Sequence, residues 1–218
     1  MPLCFDLDGT LGTFGGGYAL LRETLGERWG TAPTLEELRA CAGSTDWEIV
    51  DELHRIRFGT GLADADYEAF DADCLARFRA TFHPEGQLPT AFQGIIEGLH
   101  HLMERGHAVW LVSGNVPRVL EFKASVLRID GRIHRLGSLP GCSRADLIRR
   151  AVQDRAGPHL YVGDRPHDRE AARAADIPFL GIGDAVPGEH PVLGADTGAT
   201  HLVAAIERII SMQGRGYP

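Results

Sequence analysis

Lysine is nearly absent from this chain. Of its 22 basic residues 21 are arginine, and Lys123 is the only lysine. Long apolar runs are missing too, so no segment has the roughly 20 apolar residues that a membrane-spanning helix needs. The first residues carry neither a basic leader nor an apolar signal core, which predicts a cytoplasmic location. Cysteine is scarce: Cys4, Cys41, Cys74 and Cys142 are scattered and form no C-x-x-C pair. That spacing excludes a disulfide or zinc framework and reads as reduced, mostly buried thiols. Positive charge is also in deficit. A net charge of −8 disfavours nucleic acid or an anionic membrane as partner, because such surfaces attract basic patches.

What is present suits a soluble globular protein. The 218 residues, 44% apolar and 24% charged, can bury a substantial core. "LCF" (3–5) is a short apolar run ending in acid, the pattern of a buried parallel strand whose end meets a site. Residues 18–82 read as helices over 18–29, 35–41, 47–57 and 67–82, separated by "GTAPT", "AGST" and "GTGLADA". "HPEGQLP" (83–89) reads as a linker. Beyond it, short apolar strands ("HAVWLV", "HLYVGD", "PFLGI") alternate with helices over 92–106, 117–129, 144–153 and 168–176. Pro117 suits a first helical turn, Ser143 and Asp146 form a capping box, and Thr200 is placed to cap a last helix running to Ile210. The alternation predicts an α/β fold, a Rossmann-like parallel sheet core with an inserted all-helical domain. The expected division is 1–14 with 88–218 for the core and 15–87 for the insertion.

The strand ends carry the chemistry. Asp6 and Asp8, Ser113-Gly114-Asn115, the region of Arg144, and Asp164 with Asp168 all fall where predicted strands finish. In an open parallel sheet these ends face one crevice. Four carboxylates there repel one another and raise each other's pKa unless they point apart into solvent or a cation balances them. Oxygen-only ligands suit a hard divalent ion, and magnesium is the natural match. With such a metal, one acid can attack phosphorus and an acid two residues on can move the proton, since strand side chains alternate with period two. The phosphoryl group also needs donors and a cation, which Ser113, the N–H groups after it, and Arg144 or Lys123 can supply.

These motifs, "DLDGTL", "VSGN", a downstream basic residue and "VGDRPHD", resemble in order the four motifs of the haloacid dehalogenase superfamily. The likeness runs from residue 3 to about 185, and the helical insertion is similar in position to the type C1 cap of phosphoglycolate phosphatase-like members. The resemblance implies a magnesium-dependent phosphatase that hydrolyses a small phosphorylated metabolite through an aspartyl-phosphate. It implies Asp6 as nucleophile and magnesium ligand. Asp8 would be the acid/base, with its backbone carbonyl on the metal, and Thr10 would steady the Asp8 loop. Ser113 with the Gly114 and Asn115 backbones would hold the phosphoryl oxygens, and Asp164 and Asp168 would complete the metal site. Thr10 and Lys123 join the substrate-binding set.

Two departures stand out. The family's third motif is usually lysine, where this chain has Arg144, and arginine presents a wider fork. Lys123 is the rival, lying amid Val116, Val119, Leu120, Val126 and Leu127 on a helical projection, where a snorkelling lysine is the other reading. Arg144 is favoured. "GTFGGG" after the first motif is the second departure, either a plain connector or a hinge. Trp47 can face a substrate or fill the helical insertion's core. Asp8 argues for phosphoryl transfer over dehalogenation, and the lack of any lysine before Lys123 argues against a cap lysine forming an imine. A hexose-phosphate mutase of the same superfamily and a non-catalytic phospho-ligand-binding or regulatory protein remain the alternatives.

Overall fold

A computed structural model describes residues 1–81, 89–153, 159–183, 186 and 191–213. In chain order the elements are β1 (Pro2–Phe5), β2 (Gly12–Thr13), α1 (Gly17–Trp29), α2 (Leu35–Ala40), α3 (Asp46–Phe58), α4 (Asp64–Thr81) and β3 (Thr90–Ala91). They continue as α5 (Gln93–Glu104), β4 (Ala108–Val112), α6 (Pro117–Val126), β5 (His134–Leu136), α7 (Arg144–Val152) and β6 (Leu160–Gly163). The last are α8 (Pro166–Ala174), β7 (Phe179–Ile182), β8 (Val192–Leu193) and α9 (Ala199–Gln213).

Six strands form one parallel sheet in the order β5-β4-β1-β6-β7-β8. The chain leaves β1 toward β4 and β5 on one side and returns to β6, β7 and β8 on the other. That reversal opens a crevice at the carboxyl end of β1. Register places Phe5 beside Leu111 of β4 and Val162 of β6. Asp6 follows Phe5, and Ser113 and Asp164 follow the last residues of β4 and β6, so all three leave the sheet at the same end.

Strand alternation splits the core between the two faces. Leu3, Phe5, Val109, Leu111, Leu160 and Val162 pack with α5, α6 and α9 residues such as Leu99, Leu120 and Leu202. Cys4, Val112, Tyr161 and Phe179 pack with Leu147 and Ile148 of α7 and Ala171 and Ala172 of α8. The helices α1–α4 enclose a third cluster around Leu25, Leu38, Val50 and Phe70. Val116 and Val119 of the α6 region join it. These four helices lie consecutively between β2 and β3, which pair antiparallel and bring the ends of the helical stretch together. Among the described residues, no helix is long and apolar enough to cross a membrane.

Most expected elements are present within a few residues, and the fold is the expected α/β one. Ser143 forms its capping box with Asp146, as Thr45 does with Glu48 at α3. The four cysteines form no disulfide. Three local details differ. Gly12 and Thr13 of "GTFGGG" form β2, and the left-handed Gly16 (φ 81°) precedes α1, so the stretch is ordered backbone. The last helix begins at Ala199 with Gly198 accepting its first hydrogen bonds, so Thr200 sits inside the first turn and does not cap it. β5 and β8 went unforeseen because two or three residues carry no period. Of the expected linker 83–89, residues 83–88 lie outside the described residues.

Candidate active site

Asp6 follows β1 directly. Its N–H donates to the Val162 carbonyl of β6 (2.8 Å), which fixes it at the sheet's edge. Asp164 follows β6, and Asp168 lies in the first turn of α8. One carboxylate oxygen from each of Asp6, Asp164 and Asp168 lies within 4.8 Å of the others, and all three residues are buried. Burial pushes the Asp6 carboxyl well above its ordinary value. Asp168, Asp164 and Asp8 add to the shift and Arg144 opposes it. Asp164 is pushed up to about 6, by burial first and Asp168 second.

Such upward shifts mean that the negative charge is under-compensated. Three converging carboxylates with excess charge fit a hard divalent cation of the magnesium type. Backbone shape agrees with that packing. Gly9 has a φ of +83°, and a Cβ there would lie 2.1 Å from Asp164 Oδ2. Only glycine lets the "DGT" turn close over the acid. Thr10, fully buried, donates through its hydroxyl to Asp164 Oδ1 (3.4 Å).

β1 ends at Phe5, and Leu11 N–H donates to the Leu7 carbonyl in a turn (2.9 Å). Asp6 and Asp8 lie beyond the strand, at the entry to this turn, and face different cations. Arg144 Nη1 donates to Asp6 Oδ1 (3.0 Å) and Asp168 Oδ1 (2.7 Å), while Lys123 Nζ lies 2.8 Å from both oxygens of Asp8. The same ammonium donates to Asn115 Oδ1 (2.8 Å) and lies over the rings of Phe14 (5.0 Å) and Phe78 (4.8 Å). Lys123 is buried, so its charge ends on Asp8 and does not snorkel to solvent. Arg144 and Lys123 thus each contact one acid of the first motif.

Ser113 directly follows β4, buried, with its N–H donating to the Leu136 carbonyl of β5 (3.1 Å). Its hydroxyl accepts from Asn115 Nδ2 (2.7 Å), which also donates to Asp8 Oδ2 (2.6 Å). Gly114 is needed for close approach, since a Cβ would lie 2.5 Å from both Arg144 Nη2 and the Ser44 carbonyl.

Four residues without a motif signature complete the site. Tyr161 of β6 accepts from Arg144 Nη1 (3.3 Å) and donates to the Val112 carbonyl (3.2 Å). Burial raises its pKa and keeps the hydroxyl protonated. The Ser44 carbonyl accepts from Arg144 Nη2 (2.7 Å). Asp46 sits against the 114–116 loop. Ser138 is fully buried, and its hydroxyl accepts from Trp47 N–H (2.9 Å) while its own N–H donates to the Asn115 carbonyl (2.8 Å). Even period in β6 points Tyr161 to the α7 face, a signal readable in sequence. The other three depend on how the helices dock. Trp47 is half-buried and packs against the helical cluster. His167 is partly exposed at the start of α8.

This arrangement defines a hydrolase of the haloacid dehalogenase type. Residues 3–182 match the haloacid dehalogenase-like hydrolase family, and the chain belongs to it. Among solved structures it is similar to a hydrolase from Pseudomonas syringae (18% identity, TM-score 0.68, covering 95% of this chain and 98% of that one). It is also similar to CbbY from Rhodobacter sphaeroides, solved with phosphate (18%, 0.62, 88% and 92%). A third is a provisional phosphoglycolate phosphatase from Lactobacillus delbrueckii (22%, 0.57, 94% and 97%). At these identities the likeness is one of fold. No functionally curated protein matches the sequence.

Proposed function

We propose that the chain is a magnesium-dependent phosphatase that hydrolyses a small phosphorylated metabolite through an aspartyl-phosphate on Asp6. One observation carries this reading: the two acids of the first motif are separately held, Asp6 by Arg144 and Asp8 by Lys123. Arg144 opposes the upward shift that burial and the neighbouring acids impose on Asp6 and so favours its nucleophilic form, and a second acid held apart on Lys123 can act as proton carrier.

In this reading Asp8 takes up a proton as the anionic ester binds, an Asp6 oxygen attacks phosphorus, and the bond to the leaving oxygen breaks as that oxygen takes the proton from Asp8. Asp8 then removes a proton from water, which attacks the aspartyl-phosphate. Inorganic phosphate leaves and Asp6 is regenerated. Ser113 and the Gly114 and Asn115 N–H groups hold the phosphoryl oxygens, with Arg144 adding positive charge. Asp6, Asp164, Asp168 and the Asp8 carbonyl would hold magnesium. When bound, the ion supplies Lewis-acid neutralisation of phosphoryl charge and relieves the repulsion among the acids.

We assign 15–87 as a cap domain on a core of 1–14 and 88–218. The consecutive helices α1–α4 and the β2–β3 pairing support this division. A reducing, cytoplasmic setting fits the absence of disulfides.

The test is hydrolysis of p-nitrophenyl phosphate with and without magnesium. Wild type turns it over only with the metal, and Asp6→Asn loses at least about 10³-fold. Mass spectrometry of Asp8→Asn finds a phosphoryl adduct on Asp6. Metal-dependent turnover of no ester in a broad panel refutes the reading.

A further inference from the structure

We propose that Asp46 determines specificity at this site and selects phosphate monoesters whose leaving alcohol carries no negative charge. This rests on the phosphatase reading above and extends it to a substrate class. Asp46 opens α3 immediately after the Thr45 cap. Its N–H donates to the Gly114 carbonyl (2.7 Å), and its Oδ2 accepts from Val116 N–H (2.9 Å). A carboxylate from the helical segment is thereby pinned against the two residues that flank Asn115. Asn115 in turn donates to Asp8 (2.6 Å).

A phosphoryl group on Asp6 leaves its alcohol oxygen within reach of Asp8. On this reading the rest of the alcohol would extend past Asp8 toward residues 44–46, which Ser44 binds to Arg144 and Asp46 binds to the loop around Asn115. Ser44 marks that edge through its bond to Arg144 Nη2 (2.7 Å).

Charge around this space is already committed. Lys123 is spent on Asp8 and Asn115, and Arg144 on Asp6, Asp168 and the Ser44 carbonyl. Arg118 of α6 faces Asp71, and Arg165 faces Asp164. Each of these four cations already has a carboxylate, and Asp46 adds one more negative charge. A carboxylate or second phosphate on the alcohol would meet the Asp46 charge, which already senses Lys123, Asp8 and Arg144; for a pair at roughly 6 Å the Coulomb cost is about 2–3 kcal/mol. At an effective dielectric near 20 such a like-charge pair disfavours binding by about 10- to 100-fold. Hydroxyl or ammonium substituents escape the penalty. Burial pushes Asp46 up to about 6, with Lys123 and Arg144 opposing the shift, so it is ionised at neutral pH.

Three esters of similar size separate the cases: phosphoethanolamine, glycerol 3-phosphate and phosphoglycolate, with p-nitrophenyl phosphate as reference. Wild type should show kcat/KM for phosphoglycolate at least about 10-fold below the other two. Asp46→Asn keeps an acceptor for Val116 N–H but drops the charge, and should narrow the gap to within about threefold, mainly through KM. Calorimetric binding of the same esters to both proteins reads the ranking without turnover. Discrimination in binding with no hydrolysis of any ester refutes the phosphatase reading and supports the Asp46 assignment. Equal handling of phosphoglycolate, or a ranking that Asp46→Asn leaves unchanged, overturns the assignment.

Discussion

Replacing Lys123 by methionine tests whether the single lysine holds Asp8. The side chains are similar in length, so packing is retained while the charge goes. Lys123 is 2% exposed and its ammonium lies 2.8 Å from both Asp8 oxygens. Removing one partner of a buried pair costs about 3–5 kcal/mol, because the remaining charge is left uncompensated. Here the Asp8 side chain is 34% exposed and recovers part of its hydration, which lowers the figure. Loss of the contacts with the Phe14 and Phe78 rings adds about 0.5–2 kcal/mol. The expected cost of Lys123→Met is therefore about 2–3 kcal/mol, or roughly 4–12 °C in Tm for a chain of this size. Urea denaturation in EDTA reads it directly. A double-mutant cycle with Asp8→Asn should return a coupling of about 2 kcal/mol. A cost for Lys123→Met below about 0.5 kcal/mol, or additive single effects, refutes the pairing.

Two further perturbations probe the acidic cluster. Gly9→Ala puts a Cβ 2.1 Å from Asp164 Oδ2 at a φ of +83°, so it should cost at least about 1–3 kcal/mol in thermal unfolding and weaken magnesium binding by calorimetry. Unchanged magnesium affinity would show that the turn does not shape the metal site. Stability should also depend on pH through Asp164 and Asp46, each raised to about 6 by burial. The folded state holds these protons more tightly than the unfolded chain. Their contribution is therefore full below about pH 4 and is lost as pH rises through 6. Asp130 and Asp146 shift the other way, paired with Arg132 and capping at Ser143, and act only at more acidic pH. Metal-free protein should thus show a falling urea midpoint from pH 5 to 7, partly reversed by magnesium at pH 7. A flat profile in EDTA contradicts the buried placement of these acids.

Much of this was legible in the sequence because it rests on local pattern. "LCFD", "HLYVGD" and "LVSGN" announce strands that end in chemistry, and parallel pairing alone brings 6, 113 and 164 together. Ser143 and Asp146 announce α7 and so deliver Arg144 to the crevice. Sequence spacing alone does not show which cation each acid of the first motif meets. The turn through Leu7–Leu11 sends the two acids to different partners. Ser44, Asp46 and Ser138 could not be found, because their roles come from contacts 70 to 100 residues apart in sequence. No periodicity encodes such a meeting.

The arginine in the third motif makes sense only with those distant contacts in view. Nη1 takes Asp6 and Asp168, and Nη2 takes the Ser44 carbonyl. A guanidinium spreads its donors over a planar fork, whereas an ammonium gathers them on one atom. Lysine at this position would meet the carboxylates but would not span to the helical segment in the same way. Gly114 leaves the room for that span, since any Cβ there would collide with both Nη2 and the Ser44 carbonyl. Arg144, Gly114 and Ser44 therefore form one device: a cation that bonds Asp6 also ties down the segment carrying Asp46. Arginine here does what charge alone would not: its fork joins Asp6 to the segment that carries Asp46, the residue proposed to read the leaving group.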